Sequence, residues 1–132
     1  MRTKFAVLLT GLGLLFLAVP VVAHHAVGAE YDASKPVKLT GTVTKIEFTN
    51  PHARLYFDVK QPDGTVVNWH VEMNARSILV RQGWTAKSLS IGETVTVVGI
   101  AARAANVFAV NVQADNASIS TADGRKVFVD PE

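Results

Sequence analysis

Cysteine is missing from all 132 residues, and that absence removes three chemistries at once. The chain can form no disulfide, no thiolate metal centre and no cysteine nucleophile. Net charge is nearly missing as well. The 13 Lys and Arg exceed the 11 Asp and Glu only through Arg2 and Lys4, which precede an apolar leader. Without that leader the chain is formally neutral, so a phosphate-binding surface has no support and nucleic acid is not an expected partner. Internal repeats and low-complexity segments are lacking too. Ser34, Ser77 and Ser88 stand in no nucleophile-elbow pattern, which leaves hydrolytic catalysis without a motif.

Long hydrophobic runs are also scarce. The one present, Phe5 to Leu17, falls short of the ~20 residues a membrane span needs, and Pro20 ends it. Arg2 and Lys4 precede it, and Val21-Val22-Ala23 puts small residues where a signal peptidase reads. Residues 1–23 therefore read as a cleavable secretory signal, with an uncleaved anchor or a later cut after Ala29 as alternatives. The expectations are a periplasmic or secreted protein, no stable membrane span after processing, and a mature chain that begins at His24. About 109 residues remain, enough for one domain with a core of its own.

Residues 24–36 show little apolar periodicity and read as an N-terminal arm, with the domain proper at 37–132. Within the domain, Ala53, Leu55, Phe57 and Val59 alternate with Arg54, Tyr56, Asp58 and Lys60, the period of a half-buried strand. Val67, Trp69, Val71 and Met73 repeat the pattern. Pro62-Asp63-Gly64 between them suits a three-residue hairpin loop that sets Gln61 opposite Thr65. By counting, Phe57 then faces Trp69 and Leu55 faces Val71, while Tyr56 meets His70 and Arg54 meets Glu72 on the other face. Upstream, Val37, Leu39 and Val43 share one parity and Ile46 and Phe48 the other, which places a β-bulge at Thr44-Lys45.

Downstream, Asn74 can cap a short helix through Ile78 and Leu79 that Gly83 ends before Trp84 packs back. Thr94 to Ile100 and the alternation Phe108, Val110, Val112, Ala114 supply two more strands. Ser118 to Thr121 and Arg125 to Val129 suggest a closing hairpin around Ala122-Asp123-Gly124. Three meander strands, a helix and two strands make an all-β fold with one short helix: a five-stranded OB-fold-like Greek-key barrel plus a C-terminal hairpin. In that fold ligands sit on the face of strands 2 and 3 and in the loop joining strands 1 and 2. Here those positions hold Arg54, Tyr56, His70, Glu72 and Asn50-Pro51-His52.

All four histidines, His24, His25, His52 and His70, lie outside the leader. A terminal His24 offers its α-amine and ring Nδ1 to one metal, and one more imidazole completes a T-shaped, three-nitrogen copper site, a histidine brace. Nitrogen ligands in square geometry suit Cu(II). His52 and His70 compete for the third place, since roughly 13 Å of strand separates them. His52 is preferred because a loop can adjust to the arm and Pro51 restricts the backbone before it. Each of these residues also has a plain reading: Asn-Pro-His as a turn, His24 and His25 as an exposed terminus, and the strand 2–3 face as a solvated surface with one ion pair.

His24-His25, Ala29-Glu30-Tyr31-Asp32, Lys35-Pro36-Val37, Leu39-Thr40-Gly41, Asn50-Pro51-His52, Gly83-Trp84 and Gly92-Glu93-Thr94-Val95-Thr96-Val97 together resemble a family of small exported bacterial proteins of unknown function. The resemblance implies a signal peptide, a double-His start and a small β-barrel, with no activity to transfer. The chain departs from the pattern after Asn-Pro-His, where Ala53 and Arg54 replace an aromatic residue. The reading is thus an exported, non-catalytic barrel that binds Cu(II) through His24 and His52, with His25 or His70 as a further ligand. The alternative is a metal-free module holding a small molecule or protein partner around Asn50, Arg54, Tyr56, His70 and Glu72. An oxidative copper enzyme is a third class, without a substrate groove to back it.

Overall fold

The computed structural model describes residues 27–113 and 116–129. Residues 1–23, expected to be a secretory signal, and His24 and His25 therefore lie outside the described residues. Residues 27–30 form a helical turn that runs into β1 (Tyr31–Glu47). There follow β2 (Arg54–Lys60), β3 (Val66–Glu72), α1 (Arg76–Arg81), β4 (Thr94–Ala102), β5 (Ala109–Asn111), β6 (Ser118–Thr121) and β7 (Lys126–Val129). The fold is all-β, as the alternation implies. Strand β1 starts at Tyr31, ahead of Val37, because its first residues pair with β4 alone and leave Ala33 to Pro36 exposed. No core face then imposes a period on them.

The barrel closes through β1. Its first part pairs with β4, from Pro36 opposite Ile100 to Thr42 opposite Thr94, and its second part with β2, from Thr42 opposite Asp58 to Glu47 opposite Arg54. The register breaks between Val43 and Lys45, at the expected bulge. The break turns Val43 and Ile46 toward the same core despite their opposite parity, and the Val43 backbone bonds to Glu93 (2.9 Å) and Gly92 (2.8 Å) in the turn before β4. Gly41 sits just ahead, where a Cβ would strike the Asp58 carbonyl and the Phe57 ring. A side chain there would hold β1 off β2, so the bend needs glycine.

Strand β3 pairs antiparallel with β2 in the counted register, Arg54 opposite Glu72 and Phe57 opposite Trp69, and Gln61 N–H donates to Thr65 O at 2.7 Å across the loop. β5 runs parallel to β3 and antiparallel to β4, which completes the closed order β1-β2-β3-β5-β4. β6 adds to β4, and β7 pairs with β6. Leu55, Phe57, Val71, Met73, Val97, Val110 and Ile119 fill the interior with almost no exposure. Phe108 departs from the expected inward set, being 44% exposed. One step beyond the β3–β5 ladder it lies beside Trp69, ring centroids 5.3 Å apart, at the barrel's mouth rather than its centre. Ala114 lies outside the described residues.

Helix α1 plugs one end with Leu79. Asn74 does not cap it; the N-cap is Ala75, without a side-chain bond. The first-turn donors are met from the β1–β2 loop instead. Thr49 O accepts from Arg76 N–H at 3.1 Å, and Asn50 Oδ1 accepts from Ser77 N–H at 3.3 Å. At the other end Gly83, with φ +91°, donates to Val80 O while Trp84 N–H donates to Leu79 O, a Schellman closure. Alanine at Gly83 must adopt the left-handed conformation at a cost of about 1–2 kcal/mol. The Gly83→Ala variant is expected to melt roughly 4–8 °C lower per kcal/mol, measurable by calorimetry.

Candidate functional site

The loop between β1 and β2, the ends of β2 and β3 and the helical turn before β1 converge at one flank of the barrel, where they enclose two adjoining hollows. The first, about 420 Å³, is lined by Val27, Pro51, His52, Ala75, Ile78 and Gln113. The second, about 360 Å³, is lined by Tyr31, His70, Arg103, Val107 and Ala109. Glu30, Arg54 and Glu72 line both and form the wall between them. Register makes that wall: Arg54 and Glu72 are directly opposed on β2 and β3, with Arg54 Nη2 3.8 Å from Glu72 Oε2. Glu72 is nearly buried, and its other oxygen lies 3.8 Å from His52 Nδ1.

His52 is braced from behind. Its Nδ1 stands 3.2 Å from Met73 O and 3.1 Å from Gln113 Nε2, and that same amide donates to Met73 O at 3.0 Å. The geometry serves two tautomers. Nδ1 either accepts from Gln113, leaving the proton on Nε2, or donates to Met73 O, leaving Nε2 with a free lone pair. The second is the state in which a backbone carbonyl orients a ligand imidazole and raises its basicity. Loop position and the backbone carbonyl suit His52 to serve as a ligand in the second tautomer. Among the described residues, no group of three or more His, Asp or Glu is placed to hold a metal ion, so His52 would need partners from the rest of the chain.

The other expected residues divide. His70 opens on the second hollow and not on His52's, in keeping with the strand separation between them. Its pKa is lowered from 6.5, first by burial and then by the Arg54 charge, with Glu72 opposing. Tyr56 lines neither hollow. Its ring lies 6.0 Å from that of His70, but its hydroxyl donates to Glu47 Oε2 at 3.1 Å and Lys45 Nζ sits 5.1 Å from its ring centroid. Asn50 supports α1. Sequence reasoning missed Gln113, Glu30, Tyr31 and Arg103. Tyr31 is 3% exposed, and burial first, then the Glu72 and Glu30 charges, hold its hydroxyl protonated far above the usual range.

The His70 shift carries a pH consequence. Because the folded form binds this proton less readily than the unfolded chain, the stability it contributes is complete above pH 6.5 and is lost as pH falls toward the folded value. Carboxylates held low by local hydrogen bonds, Asp32, Glu47, Asp63 and Asp123, act only in more acid solution. Urea midpoints of the wild type are expected to drop between pH 7.5 and 5.5, and His70→Gln to flatten that slope.

A small closed β-barrel with the OB strand order, carrying beside its first loop two hollows that share Glu30, Arg54 and Glu72, is the class that fold and site define. The chain belongs to a family of unknown function (DUF6152), whose model matches residues 12–111. No curated protein and no solved structure matches it.

Proposed function

We propose that the protein is an exported Cu(II)-binding barrel in which the amino-terminal His24 chelates the metal and His52 supplies the third nitrogen. One observation carries the reading: Val27 and His52 line the same hollow. His24 stands three residues before Val27, and three residues span up to about 10 Å. That length is enough for an amino-terminal His24 to meet His52 in the hollow that Val27 helps to line. Met73 O fixes the ring through Nδ1, Gln113 and Glu72 flank it, and Glu72 offers negative charge beside a divalent cation. His25 is close enough along the chain to add a ligand. When bound, Cu(II) would supply a square nitrogen-rich centre; the residues described here hold and orient one of its ligands.

His70 separates this reading from its rival. Copper titrations of protein beginning at His24, followed by the visible d–d band and EPR, are expected to show weakened binding in His52→Ala and unchanged binding in His70→Ala. The reverse result would transfer the third place to His70. Gln113→Ala, which removes the donor favouring the Nε2-protonated tautomer and leaves Met73 O to accept from Nδ1, is expected to leave Cu(II) affinity unchanged or raised in the same titration.

A further inference from the structure

We infer that the second hollow is a separate binding site for a small zwitterion, a molecule of amino-acid size carrying one carboxylate and one ammonium group on an apolar body. Its volume, about 360 Å³, lies at the lower end of small-molecule sites. Its charges are balanced. Arg54 and Arg103 present guanidinium groups, and Glu30 and Glu72 present carboxylates.

Those charges are only loosely committed to each other. Arg54 Nη2 lies 3.8 Å from Glu72, and Arg103 Nη1 lies 3.7 Å from Asp32, both beyond hydrogen-bond distance. Arg103 spends its Nε proton on Gly28 O at 2.9 Å, which ties the helical turn to the end of β4 and holds the hollow's rim in place. The fork of Arg54 keeps donors for a ligand carboxylate. Between the charges, Ala102, Ala104, Val107 and Ala109 form an apolar wall. His70 and the Tyr31 hydroxyl, both neutral at pH 7 for the reasons of burial given above, add polarity without charge.

Charge matching selects among ligand classes. An anion that satisfied the guanidiniums would meet Glu30 and Glu72, and a cation would meet Arg54 and Arg103. A wholly apolar ligand would strip water from all four without replacing it. A zwitterion pairs with both signs and covers the alanine wall with its body.

The test uses metal-free protein with a chelator present, so it stands or falls apart from the copper reading. L-leucine, its amine counterpart 3-methylbutylamine and its acid counterpart 4-methylpentanoate are titrated separately while amide NMR shifts are recorded. Leucine is expected to move the His70, Val107 and Ala109 resonances with a dissociation constant of ~1 mM or lower, and each half-molecule to bind at least tenfold more weakly. Arg54→Met and, independently, Arg103→Met are each expected to weaken leucine binding severalfold, with preserved spectral dispersion showing that the barrel is intact. Equal binding of the acid alone, equal binding of the amine alone, shifts located elsewhere, or no saturable shift with leucine would each overturn the proposal.

Discussion

Blocking the α-amine of protein that begins at His24 is expected to weaken Cu(II) binding by about 10²–10⁴-fold, the gain that a linked second ligand ordinarily confers. The amine and the His24 ring are joined by a few bonds, so once one nitrogen binds, the other is held at high effective concentration. Acetylation of the terminus, or an extension of four residues such as Gly-Ser-Gly-Ser, removes that advantage and leaves every imidazole in place. A single added residue is the wrong control. It would put His25 third from a new free amine, where amine, backbone nitrogens and imidazole form a strong copper chelate of their own. Competition titration gives the affinity, and EPR reports whether the nitrogen set has changed. Unchanged affinity and an unchanged spectrum after acetylation would remove the brace. The binding that remained would then have to come from the side chains of His24, His25, His52 or His70.

The amine matters because the described part of the barrel supplies so little coordination alone. His52 is held by Met73 O and Gln113, and the acid beside it, Glu72, also lies 3.8 Å from Arg54. Replacing His52 by alanine therefore tests a single ligand, whereas blocking the terminus tests the chelate that joins amine and ring.

What could be read in advance was what depends on short separations along the chain. The β2–β3 register follows from two alternating runs and a three-residue loop, and it placed Arg54 against Glu72 and Tyr56 against His70 correctly. The bulge was visible because Val43 and Ile46 differ in parity yet both need the core. Contacts between distant segments were not visible. Asn50 reads as a local turn residue, but it bonds to Ser77, 27 positions on. Gln113 looks like a surface residue after β5, and nothing in its neighbourhood announces His52, 61 positions earlier. Strand face alone groups Tyr56 with His70. Lys45 faces it from β1 across the bulge, and Glu47 takes its hydroxyl. Strand alternation fixes a residue's face; which neighbour captures a long polar side chain depends on the third strand.

Phe57→Ala is expected to cost about 3–5 kcal/mol, the range for a buried aromatic cut to a methyl group. Phe57 is fully buried at the middle of β2. It faces Val43 on β1 and Trp69 on β3, and its ring reaches the point where a Cβ on Gly41 would lie. The strands around it form a closed barrel, so they cannot collapse into the space without moving the β1 bend, and the cavity term is paid nearly in full. Small domains are stable by only about 5–15 kcal/mol, so the variant would sit near the edge of folding at 25 °C. Phe57→Leu, which keeps much of the volume, is expected to lose roughly 1.5 kcal/mol or less. Urea denaturation separates the cases: a lowered midpoint with an unchanged slope means a cavity within the same fold, and a changed slope means that the bend of β1 has given way. The second outcome would also displace Arg54 and Glu72, since β2 and β3 carry Phe57 and Trp69 inside the barrel and the wall of both hollows outside it.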